Sequence, residues 1–91
     1  MNTKIDWIKK PFAQLTRDEL YDILKLRVDV FVVEQCCYYP ELDDLDRDKD
    51  TLHLFCYQQG ELTAYLRILA KGQCYKEHIA IGRVVIAKQQ R

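Results

Sequence analysis

The 91-residue sequence lacks a net charge, a long apolar run and an internal repeat. Its 14 Lys and Arg residues are balanced by 14 Asp and Glu residues, so no overall positive field would attract nucleic acid. No stretch approaches the roughly 18 apolar residues of a membrane helix, and the N-terminus MNTKIDWIKK has no apolar signal segment. The composition predicts one small globular domain with neither nucleic acid nor membrane as a partner.

The sequence also lacks the C-x-x-C spacing of zinc sites, because its four cysteines lie at Cys36, Cys37, Cys56 and Cys74. The acidic stretch 41–50 has aspartates at calcium-loop positions. However, Lys49 stands where a calcium loop needs glycine, and Phe55 stands where it needs glutamate. We therefore expect no metal site. Reduced thiols without a secretory signal predict a cytoplasmic protein.

One helix is strongly indicated. Thr16 and Glu19 form a T-x-x-E capping box, in which each side chain can bond the other residue's main-chain amide. Beyond the box, a helical stripe with one charged member runs through Leu20, Ile23, Leu24, Arg27, Val28 and Phe31. The pattern predicts a helix from about Arg17 to about Val33, with a last turn weakened by β-branched residues.

Four segments are predicted as strands, namely 4–8, 51–57, 62–69 and 79–87. Gly60 supplies the positive φ that a tight turn between the middle two requires. The last segment, IAIGRVVIA, is apolar almost throughout, which predicts burial on both faces. An apolar strand with no successor to pair with invites another chain, so we expect a symmetric homodimer through residues 79–87.

Three motifs together carry a family resemblance: RVDVFVVEQ at 27–35, AYLRI at 64–68 and IGRVVI at 81–86. From about Trp7 to Arg91 the sequence resembles the GNAT family of N-acetyltransferases, most closely its ElaA-like branch. The resemblance implies an α+β fold, a truncated GNAT-like (acyl-CoA N-acyltransferase) fold with a mainly antiparallel sheet of about four strands and one main N-terminal helix. The family's pyrophosphate-binding loop would begin at about Gln90–Arg91. Residues 1–91 are thus expected to form one partial domain without that loop and the C-terminal half.

The resemblance also implies an activity. In the family an acetyl group passes from acetyl-CoA to a primary amine, which attacks the thioester directly. Main-chain groups of Val84, Val85 and Ile86 would contact the pantetheine arm of the cofactor. The missing loop predicts impaired or absent activity in the isolated chain. The alternative is a non-catalytic, self-associating or partner-binding module derived from an acetyltransferase.

The candidate side chains leave alternatives open. Glu34 could act as a base, bind the amine of a small substrate or form a salt bridge. His53 could be a general base or a structural histidine. Three arginines could line the substrate cleft or pair with carboxylates of the acidic stretch, and the first could instead extend to solvent: Arg27, Arg67 and Arg83.

Overall fold

The computed structural model describes residues 6–36, 40–73 and 78–88. Four strands form one antiparallel sheet: β1 (Trp7–Pro11), β2 (Leu52–Gln58), β3 (Glu61–Leu69) and β4 (Ala80–Ile86). They lie side by side in chain order, with β1 and β4 at the edges. The α+β class and the four-stranded antiparallel sheet are confirmed.

The first strand lies later in the chain than predicted. It was expected over 4–8 but runs to Pro11, which lies opposite Leu52 on β2. Proline is tolerated here because β1 is an edge strand. Residues 4 and 5 lie outside the described part of the chain.

The helix begins as predicted but changes character before its end. In α1 (Arg17–Arg27) the Glu19 amide donates to Thr16 Oγ1 at 3.0 Å, and the Glu19 carboxylate accepts from the Thr16 amide at 2.9 Å. The capping box is therefore confirmed. From Val28 to Glu34 the chain is π-helical, so the helical span predicted to about Val33 is confirmed but its last part is not an α-helix.

The buried face of the two helical segments continues from Ile23 and Arg27 to Val30 rather than to Val28. Val30 is buried there, whereas Val28, which the α-helical stripe had placed inward, is 38% exposed. The closing bond runs from the Gln35 amide to the Val30 carbonyl, five residues back, at 2.9 Å. β-Branched side chains crowd the preceding turn of an α-helix, which accounts for the wider winding in this valine-rich segment.

The core lies between the helical segments and one face of the sheet. Its buried apolar members come from both helical segments and three strands: Ile23, Val30, Phe55, Leu62, Tyr65 and Val85. Tyr57 fastens the helix to β2, because its hydroxyl donates to Asp22 at 2.7 Å. The turn between β2 and β3 has φ of 53° at Gln59 and 81° at Gly60, which confirms the tight turn expected at Gly60.

The opposite side of the sheet, here called the open face, includes Trp7, Ala64, Leu66, Ile81, Val84 and Ile86. Ile81 is 61% exposed, Val84 57% and Trp7 53%. The prediction that residues 79–87 are buried on both faces is therefore wrong for this strand. Helix α1 covers only one face, and none of the described helices is long and apolar enough to cross a membrane.

Candidate functional site

Six charged side chains form a compact group at one end of the core, here called the arginine–carboxylate cluster: Arg27, Arg67, Arg83, Glu41, Asp43 and Asp46. The arginines come from α1, β3 and β4, and the carboxylates come from residues 41–46. The cluster thus fastens this loop to three elements of regular structure.

Arg27 is the most deeply buried member of the cluster. Its Nη1 donates to Asp46 Oδ1 at 2.7 Å and its Nε donates to Glu41 Oε2 at 2.5 Å, while the residue is 0% exposed. Burial alone would lower the pKa of Arg27, but the bonds to the two carboxylates outweigh it and raise that pKa. The solvent-directed alternative is wrong for Arg27, and the pairing with loop carboxylates is what the structure contains.

Arg67 is held in a similar way. Its Nη1 donates to Asp43 Oδ1 at 2.8 Å and to Asp46 Oδ1 at 3.1 Å. Burial opposes ionisation of Asp43, yet the Arg67 guanidinium overcomes this and lowers the pKa of that carboxyl. Arg67 Nε is buried and has no hydrogen-bond partner among the described residues.

Arg83 is the most accessible arginine of the three, with a side chain 25% exposed. Its Nε donates to Glu41 Oε2 at 3.1 Å, and its Nη2 lies 3.5 Å from Asp43 Oδ2. The three predicted cleft arginines are therefore brought together, and their contacts are with the acidic loop.

His53 lies beside this cluster, buried in the core. Its Nε2 is 2.8 Å from the Asp46 carbonyl, which can only accept, so Nε2 carries the proton. Its Nδ1 then accepts from the Tyr65 hydroxyl at 2.6 Å. Burial, reinforced by the nearby charges of Arg27 and Arg67, lowers the pKa of His53. Both ring nitrogens are thus engaged inside the protein.

Glu34 lies elsewhere, at the exposed end of the π-helical segment. It lines an open groove of about 630 Å³, here called the helix-side groove, between the helical segments, the β2–β3 turn and the end of β4. Four acids and two lysines border this groove: Asp22, Asp29, Glu34, Glu61, Lys25 and Lys88. The groove reaches Ala87, immediately after β4, so it connects Glu34 with that strand.

Strand β4 contains a bulge that sequence reasoning missed. Tyr65 pairs with Val85, and Arg67 pairs with Gly82. Two residues of β4 therefore oppose the single intervening residue of β3. Arg83 lies in the bulge with a φ of 53°. The interruption of the apolar run by Gly82 and Arg83 is the signal that could have indicated it.

The bulge determines where main-chain groups of β4 point. The Ala87 amide donates to the Thr63 carbonyl at 2.8 Å. Because hydrogen-bonding positions alternate along an antiparallel strand, the main chain of Val85 points toward β3 and that of Ile86 points away. The bulge takes Val84 out of the regular ladder. Val85 therefore differs from the other two predicted cofactor-binding residues, because its main-chain groups bond β3 and hold β4 in the sheet.

The remaining sequence candidates concern metal ligands and the pyrophosphate loop. Within residues 6–36, 40–73 and 78–88, no three His, Cys, Asp or Glu side chains are grouped so that they could hold a metal ion. Gln90 and Arg91, where the family's pyrophosphate loop would begin, lie outside the described residues.

Comparison with solved structures identifies the fold. The chain superposes with a TM-score of 0.89 on an acyl-CoA N-acyltransferase from Pseudomonas aeruginosa, with 46% sequence identity. That match covers 97% of this chain and 60% of the bacterial protein. The crystal structure of Escherichia coli ElaA matches with a TM-score of 0.88 and 38% identity. The fold is therefore a truncated acyl-CoA N-acyltransferase fold.

Sequence comparison narrows the relationship. The chain is 39% identical over 87 residues to Escherichia coli ElaA, covering 96% of this chain and 56% of ElaA. It is 40% identical over 89 residues to a UPF0039 protein of Schizosaccharomyces pombe, of which it covers 57%. No family model matches the sequence. The chain is a homologue of ElaA that spans a little over half the length of these relatives, which confirms the resemblance to a part of a GNAT protein.

Proposed function

We propose that this chain is the acyl-CoA-binding part of a GNAT-type N-acetyltransferase, with acetyl-CoA lying along the outer edge of β4. The observation that carries the proposal is the bulge in this edge strand of an acyl-CoA N-acyltransferase fold. The bulge removes Val84 from the ladder of hydrogen bonds between β3 and β4. In this proposal the main-chain groups of Val84 bond the amides of the pantetheine arm instead. Val84 and Ile86 are the contacts we assign, and Val85 supports them from within the sheet.

The acceptor in this proposal is a small primary amine bound in the helix-side groove. Four carboxylates against two lysines favour a cationic ligand there. The bound ammonium first gives one proton to a base of the groove and becomes a neutral amine. The amine nitrogen then attacks the thioester carbonyl carbon, a C–N bond forms and the C–S bond breaks. The nitrogen loses a proton and the CoA thiolate gains one, which leaves an amide and free CoA.

We assign the proton acceptor to Glu34 rather than to His53. Glu34 is exposed at the groove, which extends to Ala87 at the end of β4. His53 is buried with both ring nitrogens bonded, so accepting a substrate proton would require the core to open. The matched region covers 56% of ElaA, and in this proposal the complete active site includes the part of the relatives that this chain does not match.

The test is a titration of the isotope-labelled chain with acetyl-CoA, in which NMR monitors the chemical shifts of the main-chain amides. We expect saturable shifts at Val84 and Ile86, while β1 (Trp7–Pro11), the opposite edge of the same sheet, serves as an internal control. ATP, which lacks the pantetheine arm, should not shift the β4 amides. Shifts confined to other parts of the chain, or none at millimolar acetyl-CoA, would refute this binding mode.

A second candidate function is a non-catalytic, self-associating module, favoured by the exposed open face and by β4 at the sheet edge. Its form would be a homodimer joined through residues 79–87. Both candidates use the same edge, so acetyl-CoA and the partner strand would compete. Light scattering separates them: a dimer that acetyl-CoA does not dissociate favours the module, and a monomer rules it out. The cytoplasmic location stays a prediction from the thiol content.

A further inference from the structure

The backbone at Arg83 is unusual for a residue with a side chain. Its φ of 53° lies in the left-handed region, which is unfavourable for a non-glycine L-residue. Asparagine and glycine tolerate this region better than other residues. The position lies in the β4 bulge, next to Val84. Some interaction must therefore offset the cost of this conformation.

The acidic loop supplies that interaction. Arg83 Nε donates to Glu41 Oε2 at 3.1 Å, and its Nη2 donates to the Glu41 carbonyl at 3.3 Å. Glu41 is itself fixed, because fully buried Arg27 bonds both its carboxylate and its carbonyl. Asp43 Oδ2 lies 3.5 Å from the same Nη2 atom. The Arg83 side chain is thus held by an anchor that belongs to the core.

We propose that Arg83 is a positioning residue for acyl-CoA: its contacts with Glu41 and Asp43 hold the bulge of β4, and the bulge turns the main chain of Val84 toward the cofactor. The inference rests on the proposed function. Arg83 acts here through the backbone and need not touch the ligand. The acidic loop, whose carboxylates the sequence offered as possible partners of the arginines, becomes the anchor of the cofactor-binding strand.

Three substitutions of one residue separate this role from general stabilisation. Arg83→Ala, Arg83→Asn and Arg83→Gly all remove the same ion pairs, but asparagine and glycine keep access to positive φ. We expect the alanine variant to bind acetyl-CoA about tenfold more weakly, the factor that corresponds to the left-handed backbone cost. The asparagine and glycine variants should stay within about threefold of the unchanged chain. A purely structural role would impair all three alike.

A control lies at the other end of the sheet. Gln59 has the same φ of 53° but belongs to the β2–β3 turn. Gln59→Ala should therefore cost stability without changing acetyl-CoA affinity. If Arg83→Ala does not fold, Arg83→Ser takes its place, since serine also lacks the asparagine preference for positive φ.

A second readout keeps this inference distinct from the proposed function. The three-bond coupling between the α proton of residue 83 and the preceding carbonyl carbon distinguishes positive from negative φ without any ligand. We expect positive φ in the asparagine and glycine variants and its loss in the alanine variant. If acetyl-CoA does not bind the unchanged chain, the proposed function fails and the cofactor-positioning role fails with it, although the coupling can still show that Arg83 holds the bulge. Equal weakening of binding in all three variants, or positive φ retained by alanine, overturns the inference.

Discussion

The two faces of the sheet differ in how their charged and apolar side chains are covered. On the face that α1 covers, two arginines and a histidine are buried: Arg27, His53 and Arg67. On the open face, apolar side chains such as Ile81 and Val84 are more than half exposed. The buried charges have partners inside the protein, whereas the exposed apolar residues have no such cover from α1.

The difference shows where interaction sites are to be sought. Charged residues in a strand attract attention as substrate ligands, but here their bonding capacity is used to fix a loop. The apolar residues of β4 and of the open face instead occupy the surfaces that are available to a cofactor, a partner or a second copy of the chain. Binding of the cofactor or of a partner is therefore expected from backbone and apolar surface more than from the buried arginines.

The largest expected effect comes from breaking the covered face at Asp46, which bonds both Arg27 and Arg67. Asp46→Asn leaves two buried guanidinium groups without that charge and should reduce the free energy of unfolding by about 3–5 kcal/mol. Urea denaturation measures the loss.

Asp44→Asn is the matched control in the same loop. Asp44 also pairs with an arginine, Arg47, but its side chain is 80% exposed, so removal of its charge should change stability by less than about 1 kcal/mol. Similar losses for the two variants would contradict the distinction between buried and exposed ion pairs.

Two isoleucine truncations compare the faces directly. Ile23 is 1% exposed beneath the helix, and Ile23→Ala should reduce the free energy of unfolding by about 2–5 kcal/mol. Ile81 is 61% exposed on the open face, and Ile81→Ala should change it by less than about 0.5 kcal/mol in dilute protein. A loss at Ile81 that grows with protein concentration would instead show that a second copy covers the open face.

A smaller effect is expected from acid. Burial lowers the pKa of His53 in the folded chain, so below about pH 6.5 the unfolded chain binds a proton that the folded chain does not. The free energy of unfolding should therefore fall as the pH decreases through this value, by at most about 1.4 kcal/mol per pH unit, until His53 protonates in the folded state. The pKa of Asp43 is also lowered in the folded chain, so the free energy of unfolding should fall again as the pH decreases below about 4.

Urea titrations between pH 7 and 5 measure this dependence. His53→Gln keeps one amide donor and one carbonyl acceptor for the Asp46 carbonyl and the Tyr65 hydroxyl, and it should flatten the dependence. An unchanged slope in this variant would mean that another group carries the titration.

The sequence predicted the elements that depend on local signals. The capping box of Thr16 and the turn at Gly60 each depend on residues that are close together in the sequence. Both were found where predicted. The π-helical winding after Arg27 was not predicted, because β-branching in this segment indicated a weakened last turn but not the type of helix that replaces it. The apolar pattern of residues 79–87 correctly predicted a strand but could not show which of its faces would be covered.

The candidate site was less predictable, for a geometric reason. Pairing of Arg27 with Asp46 joins residues 19 positions apart, and only the folded loop decides between that partner and a substrate. The direction of each main-chain group on β4 depends on the bulge, which is a property of pairing with β3. Residue types alone therefore left the arginine assignments open.

The most direct measurement of the central claim is the acetyl-CoA titration of the unchanged chain, observed at the amides of both edge strands. Binding along β4 predicts saturable shifts at Val84 and Ile86, none on β1, and no response to ATP. A folded chain whose β4 amides do not move at millimolar acetyl-CoA would contradict the claim, and the open face would then be examined as a surface for a second copy.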